Sequence, residues 1–194
     1  MQINNKMKRA PNGKYRATPE YKQYLTIIER CRADGKTQKT YASYVGVTLS
    51  EDFDTFEKWL EWAKQQVGFG NTADNGKRWP LDKDILLKGN KIYSPDYCVF
   101  IPNEINNFIT NRKTDRGEYP IGVHYSTKEK KYIASCSMNS KKYYIGGYHS
   151  IEESFMAYKQ FKEQAAKQLA TQYTNLVDIR VIDALNNFTV DIND

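Results

Sequence analysis

The sequence predicts an α+β protein: an N-terminal helical region, a small ββα module, and a three-stranded antiparallel sheet backed by one long helix. Three observations carry this prediction. Apolar residues recur at helical spacing in two segments of the first 67 residues and again after Ser150. Residues 121–148 instead alternate with a period of two. Between these regions, 79–112 holds short apolar runs broken by Gly89-Asn90 and by Ser94-Pro95-Asp96. The expected organisation is a flexible basic arm over 1–17, the helical region with the ββα module over 18–112, and a polar hinge at 113–120. A sheet–helix domain over 121–173 and a tail over 174–194 that packs on the body complete it.

The first helix is announced by Thr18 as N-cap, Pro19 at the first helical position and Glu20 in the first turn. Tyr21, Tyr24, Leu25, Ile28 and Cys31 then follow helical spacing, and Gly35 ends the segment. Residues 36–49 are polar and then mildly β-prone, which predicts an irregular connection with a short strand near 44–47. Ser50 or Asp52 caps a second helix, whose apolar face is Phe53, Phe56, Trp59, Leu60, Ala63 and Val67. Trp62 is the ring left outside that face. In the sheet region, strands are expected at 122–125, 131–137 and 142–145, closed by Gly146-Gly147. Ser150 with Glu152 and Glu153 opens the long helix, with Phe155, Tyr158, Phe161, Ala165, Leu169 and Ala170 on its apolar side.

Charge is clustered. The chain carries +6 overall, and residues 1–49 hold ten Lys/Arg against three acids. Residues 117–173 are also basic, whereas 174–194 are acidic. The two basic regions, with fifteen tyrosines in the chain, match the footprint of a polyanion-binding protein. Lys8, Arg9, Lys14 and Arg16 of the arm are candidate phosphate contacts. No run reaches the roughly 18 apolar residues of a membrane helix, and no signal peptide is expected, so no membrane partner is predicted. Three widely spaced cysteines predict reduced thiols and a cytoplasmic location.

The alternation of the second predicted strand turns Ala134 and Cys136 toward the helix and Ile133, Ser135 and Ser137 away from it. The outward face then holds small polar residues flanked by Lys130, Lys131, Lys141 and Lys142. A β surface of that kind fits the major groove of double-stranded DNA.

The segment GVHYSTKEKKYIASCSMNSKKYYIGGYHSIEESFMAYKQFKE resembles the plant Apetala/ethylene-responsive-factor DNA-binding domain, in the form that recurs in phage-encoded HNH homing endonucleases. The matching landmarks are Gly122-Val123, Tyr132-Ile133-Ala134, Tyr144-Ile145-Gly146, and Glu152-Glu153 leading to Ala157-Tyr158. The resemblance implies a sheet laid in the major groove, with His124, Ser126, Ser135, Ser137, Lys142 and Tyr144 on the DNA face. Most arginines and tryptophans of the plant pattern are replaced here, so its sequence preference does not transfer. YKQYLTIIERC, FDTFEKWLEWA and LDKDILLKGNKIYSPDYCVFIPNEIN resemble the N-terminal and central parts of the same phage proteins.

HNH nucleases activate water with a histidine and hold one divalent ion with a nearby Asp and a later Asn or His. The resemblance places Asp82, Lys83 and Asn106 in the catalytic positions, but Lys83 stands where the histidine belongs and Tyr97 where a middle asparagine belongs. A lysine ammonium, with a pKa of about 10, is a poor general base and contacts phosphate instead. Asp82 and Asp84 lie two apart on one side of a strand, where they either share Mg2+ or Mn2+ or pair with Lys83, Lys88 or Arg78. The expectation is a DNA-binding protein of phage type with a degenerate nuclease site. An active Mg2+/Mn2+-dependent DNA endonuclease using Asp82, Asp84 and Asn106 is the alternative. A third reading is a factor that binds a host protein through Trp62, Tyr143, Tyr148 and the acidic tail. A phage-encoded chain works in the host cell cytoplasm.

Overall fold

The computed structural model describes residues 5–11, 15–110, 118–138 and 141–194. It is a mixed α+β fold that divides into two units, Met1–Pro102 and Asn103–Asp194. The boundary precedes the hinge expected at 113–120, of which 113–117 lie outside the described residues.

The first unit opens with strands β1 (Met7–Arg9) and β2 (Tyr15–Ala17), which pair antiparallel with Lys8 opposite Arg16. Part of the arm expected over 1–17 is thus paired strand, and residues 1–4 and 12–14 lie outside the described residues. The end of this hairpin is tied down where Thr18 donates its N–H to Lys6 O at 2.9 Å and its hydroxyl to Asn5 O at 2.9 Å. Helix α1 (Pro19–Cys31) starts as predicted, with Thr18 Oγ1 accepting the Tyr21 N–H at 3.2 Å. Its buried side is Tyr24 and Ile27, while Leu25 is exposed, so the stripe is rotated from the one read off the sequence. Lys36–Thr40 forms helix α2 where an irregular connection was expected. Gln38 holds this region, donating to both Arg30 O and Val47 O at 3.0 Å.

Strand β3 (Thr48–Leu49) lies just beyond the predicted 44–47, because its pairing partner is the distant Ile92-Tyr93. A 3-10 turn at Glu51–Phe53 precedes helix α3 (Phe56–Ala63), whose cap is Thr55 rather than Ser50 or Asp52. Phe53, Phe56, Trp59, Leu60 and Ala63 are buried as predicted. Val67 is exposed, since the helix has ended before it. Strands β4 (Leu81–Asp82), β5 (Ile92–Tyr93) and β6 (Val99–Phe100) complete the unit. β4 pairs antiparallel with β6, and β5 pairs parallel with β3. Trp59 and Phe100 sit in the resulting core with Leu81, Tyr93 and Cys98.

The second unit begins with helix α4 (Asn103–Ile109), the helix expected to close the ββα module. Side chains from the long helix downstream and from its C-cap hold it there. The Tyr173 hydroxyl donates to Glu104 Oε2 at 2.7 Å. Lys162 Nζ donates to Phe108 O at 2.7 Å and lies 3.7 Å from the centre of the Phe108 ring. Burial of that lysine pushes its pKa down.

Strands β7 (Val123–Ser126), β8 (Lys131–Met138) and β9 (Lys141–Tyr148) form one antiparallel sheet in the order β7-β8-β9. Gly122 precedes it with a φ of +79°, and a Cβ there would lie 2.0 Å from the Tyr158 ring, so only glycine fits. Gly146 and Gly147 lie inside β9 instead of closing the sheet, because a bulge at Ile145 lengthens the strand. Helix α5 (Ile151–Gln172) backs the sheet. Its start is a reciprocal capping box between Ser150 and Glu153. Val123, Ala134, Cys136, Phe155 and Tyr158 form the layer between them. Helix α6 (Ile179–Asn186) follows an Asp178 cap, and Val190 beyond it joins the same core.

Candidate nucleic-acid interface

The register of the sheet separates its two faces. His124 pairs with Ile133, Ile133 with Gly147, Ser135 with Tyr144, and Ser137 with Lys142. Neighbours across a sheet share a face, so these residues all lie opposite the helix-backed layer that holds Ala134 and Cys136. The bulge between Ala134 and Ser135 keeps this division intact along β9. It leaves Tyr143 packed on Phe161 with ring centres 5.7 Å apart, while Tyr144 is 63% exposed.

The outer face is concave. A depression of about 320 Å³ is lined by His124, Ser126, Glu129, Ile133, Ser135, Lys142 and Tyr144. Its floor is Ile133, which is buried although it points away from the helix. Gly147 keeps the floor low, since a Cβ there would meet Ile133 Cδ1, Lys131 Cδ and the Tyr144 hydroxyl, each at 3.2 Å. One wall is set by the turn into β8. The Glu129 N–H donates to Ser126 Oγ at 3.2 Å, and Lys130 adopts a left-handed φ of 53°. Five of the six residues that the resemblance assigned to the DNA face line this depression, and Ser137 shares their face. Lys130 is exposed beside it. Sequence reasoning missed Glu129, although its place within the run Lys128-Glu129-Lys130-Lys131 at a turn was visible.

Lys8, Arg9 and Arg16 belong to the first unit, all exposed on the hairpin, and Lys14 lies outside the described residues. Lys8 and Arg16 are like charges directly opposite each other.

The other predicted centre is built differently. Asp82 Oδ1 accepts the N–H groups of Asp84 at 2.8 Å and Ile85 at 2.7 Å, which closes the turn after β4. Burial pushes the Asp82 carboxyl pKa up, against the pull of those two donors. Lys83 is only 3% exposed, and its Nζ donates to Asp84 Oδ1 at 2.7 Å and Asn90 O at 2.6 Å. Asn90 in turn donates to Lys83 O and Ile92 O, each at 2.8 Å. The expected phosphate contact by Lys83 is therefore corrected: its ammonium is consumed inside the fold. Of the two readings of the acids, Asp84 takes the pairing with Lys83.

A divalent ion shared by Asp82 and Asp84 would compete with bonds already made. One Asp82 oxygen is spent on backbone donors, and a lysine ammonium already neutralises Asp84. Among the described residues, no group of three or more His, Cys, Asp or Glu side chains is placed to hold a metal. Asp82, Lys83 and Asp84 belong to the first unit and Asn106 to the second. Tyr97, at the position of the missing asparagine, is partly exposed.

A larger depression, about 510 Å³, opens in the first unit beside Leu25, Glu29, Arg30, Tyr41 and Tyr44. Its guanidinium is already engaged, since Arg30 stacks 5.2 Å from the Tyr44 ring and donates to the Tyr93 hydroxyl at 3.0 Å. The cysteines are all free, and burial pushes Cys31 to about 11 and Cys98 to about 12, away from thiolate chemistry. No helix among the described residues is long and apolar enough to cross a membrane.

Comparison with family models, with curated proteins and with solved structures finds no match for this chain.

Proposed function

We propose that this chain binds double-stranded DNA, laying the outer face of β7, β8 and β9 against the major groove. One observation carries the reading. The side chains of His124, Ser135, Lys142 and Tyr144 make no hydrogen bond or ion pair among the described residues, yet they converge on one concave face. Polar groups that a fold leaves open and gathers together are available to a ligand. Lysine supplies charge for phosphate, serine and histidine meet base edges, and the exposed tyrosine packs against sugar. Lys8, Arg9 and Arg16 add a second set of phosphate contacts.

The likeness to phage HNH homing endonucleases gives this reading its evolutionary form: a DNA-binding relative whose nuclease module serves the fold. The internal bonding of Asp82, Lys83 and Asp84 supports that form over metal-dependent cleavage. The three rings of the host-protein reading all pack inside the fold: Trp62 packs on Phe53 and Phe100, and Tyr143 on Phe161. The third, Tyr148, joins the core behind the sheet.

A gel shift with mixed-sequence duplex at low salt tests the proposal. Wild type retards the duplex, and Lys142→Ala retards it less at every sequence. Absence of any retardation at low salt overturns the reading.

A further inference from the structure

One residue of the outer face has the wrong sign for a surface that meets a polyanion. Four charges follow one another at the turn into β8: Lys128, Glu129, Lys130 and Lys131. Only Glu129 among them lines the depression. Its N–H is fixed to Ser126 Oγ, which holds the turn in place, but its carboxylate makes no hydrogen bond or ion pair among the described residues. Lys142 lines the same depression without pairing with it.

A free carboxylate facing DNA repels phosphate, a cost offset where it meets a hydrogen-bond donor. Phosphates and sugars of DNA present none. In the major groove the donors are the exocyclic amino groups, N6 of adenine and N4 of cytosine. Adenine sets its N7 acceptor beside the amino group, which suits a side-chain amide and opposes the second carboxylate oxygen. Cytosine flanks its amino group with an apolar C5–H. The depression offers the match: an acceptor at its rim and the apolar Ile133 at its floor.

We propose that Glu129 is a specificity-determining residue of the sheet, accepting a hydrogen bond from cytosine N4 and repelling the backbone wherever the sheet docks out of register. The inference rests on the DNA-binding reading above. It combines attraction to one base with a penalty against misplaced contacts, the two ingredients of specificity.

The test is selection from a random duplex library by wild type and by Glu129→Ala, followed by affinity measurement on the selected duplexes. Wild type enriches cytosine at one fixed position, favoured roughly tenfold over the other bases. Glu129→Ala has no acceptor, loses that preference, binds unselected duplex about threefold more tightly through the lost repulsion, and melts at the same temperature as wild type. Replacing the selected cytosine by pyrimidin-2-one deoxynucleoside, which lacks the amino group, weakens wild type by the same roughly tenfold factor and leaves Glu129→Ala unchanged. An enriched cytosine that persists in Glu129→Ala, or a substitution that weakens binding to every duplex alike, overturns the inference while leaving DNA binding intact. Failure of wild type to retain any duplex overturns the DNA-binding reading itself.

Discussion

Two regions of this chain carry charged and polar residues in patterns that suggest chemistry, and they resolve in opposite ways. Around Asp82, Lys83 and Asp84 the polar side chains bond to their neighbours, so the cluster closes the turn after β4. On the outer face of β7–β9 the polar groups are left open around a concavity. The difference separates polar residues that hold a fold from those offered to a ligand, and residue type alone does not draw that line. It predicts that substitutions in the first region change stability, and in the second change binding.

The largest effect is expected at Lys83. Lys83→Ala leaves a cavity and strips the Asn90 carbonyl of its partner, which should lower stability by about 3 kcal/mol in urea unfolding. Plasmid incubated with wild type and Mg2+ or Mn2+ should stay supercoiled. Cleavage that vanishes in Asp82→Ala would show that the region serves a reaction as well as the fold.

Asp82→Ala comes next, at about 2 kcal/mol, because two backbone N–H groups lose their acceptor. Asp82→Asn keeps an acceptor oxygen and removes the buried charge, so it should melt at or above the wild-type temperature. The pH dependence follows in sign. The Asp82 pKa is raised on folding, so the folded state binds that proton more tightly than the unfolded chain. Its contribution is fully present below the unfolded pKa of about 4 and is lost as pH rises through the folded value. Asp82→Asn should remove that part of the stability–pH curve, and an unchanged curve would contradict the assigned burial.

On the outer face, Lys142→Ala should leave the melting temperature unchanged and reduce duplex affinity about fivefold, with the salt slope shallower by about 1. The smallest effects belong to Ser135→Ala and Ser137→Ala. They should shift preference among duplexes by roughly threefold with little change in affinity for random DNA. Equal effects of the lysine and serine substitutions on selected and random duplexes would reject the division of labour across this face.

Much of the fold was legible because local chemistry specifies it. Thr18-Pro19-Glu20 and Ser150 with Glu153 name two helix starts, and both caps form. The alternation Ile133-Ala134-Ser135-Cys136 assigned both faces of the sheet, and with them most of the depression. What escaped depends on contacts distant in sequence. Helix α2 has no apolar stripe and is held by Gln38 bonding to residues on either side. β3 finds its place only through β5. The boundary after Pro102 follows from Glu104 and Phe108 meeting the side chains of α5 and its C-cap, Tyr173. Lys83 read as a surface cation because its neutralising partners, Asp84 and the Asn90 carbonyl, form a cage only once the loop folds.

The central claim is that an open basic sheet face and a basic hairpin engage the phosphates of double-stranded DNA. Its most direct test is the affinity of wild type for a mixed-sequence duplex measured as a function of salt concentration. Six engaged phosphates predict a slope of about −5 for log affinity against log salt. An affinity that barely changes with salt would contradict it.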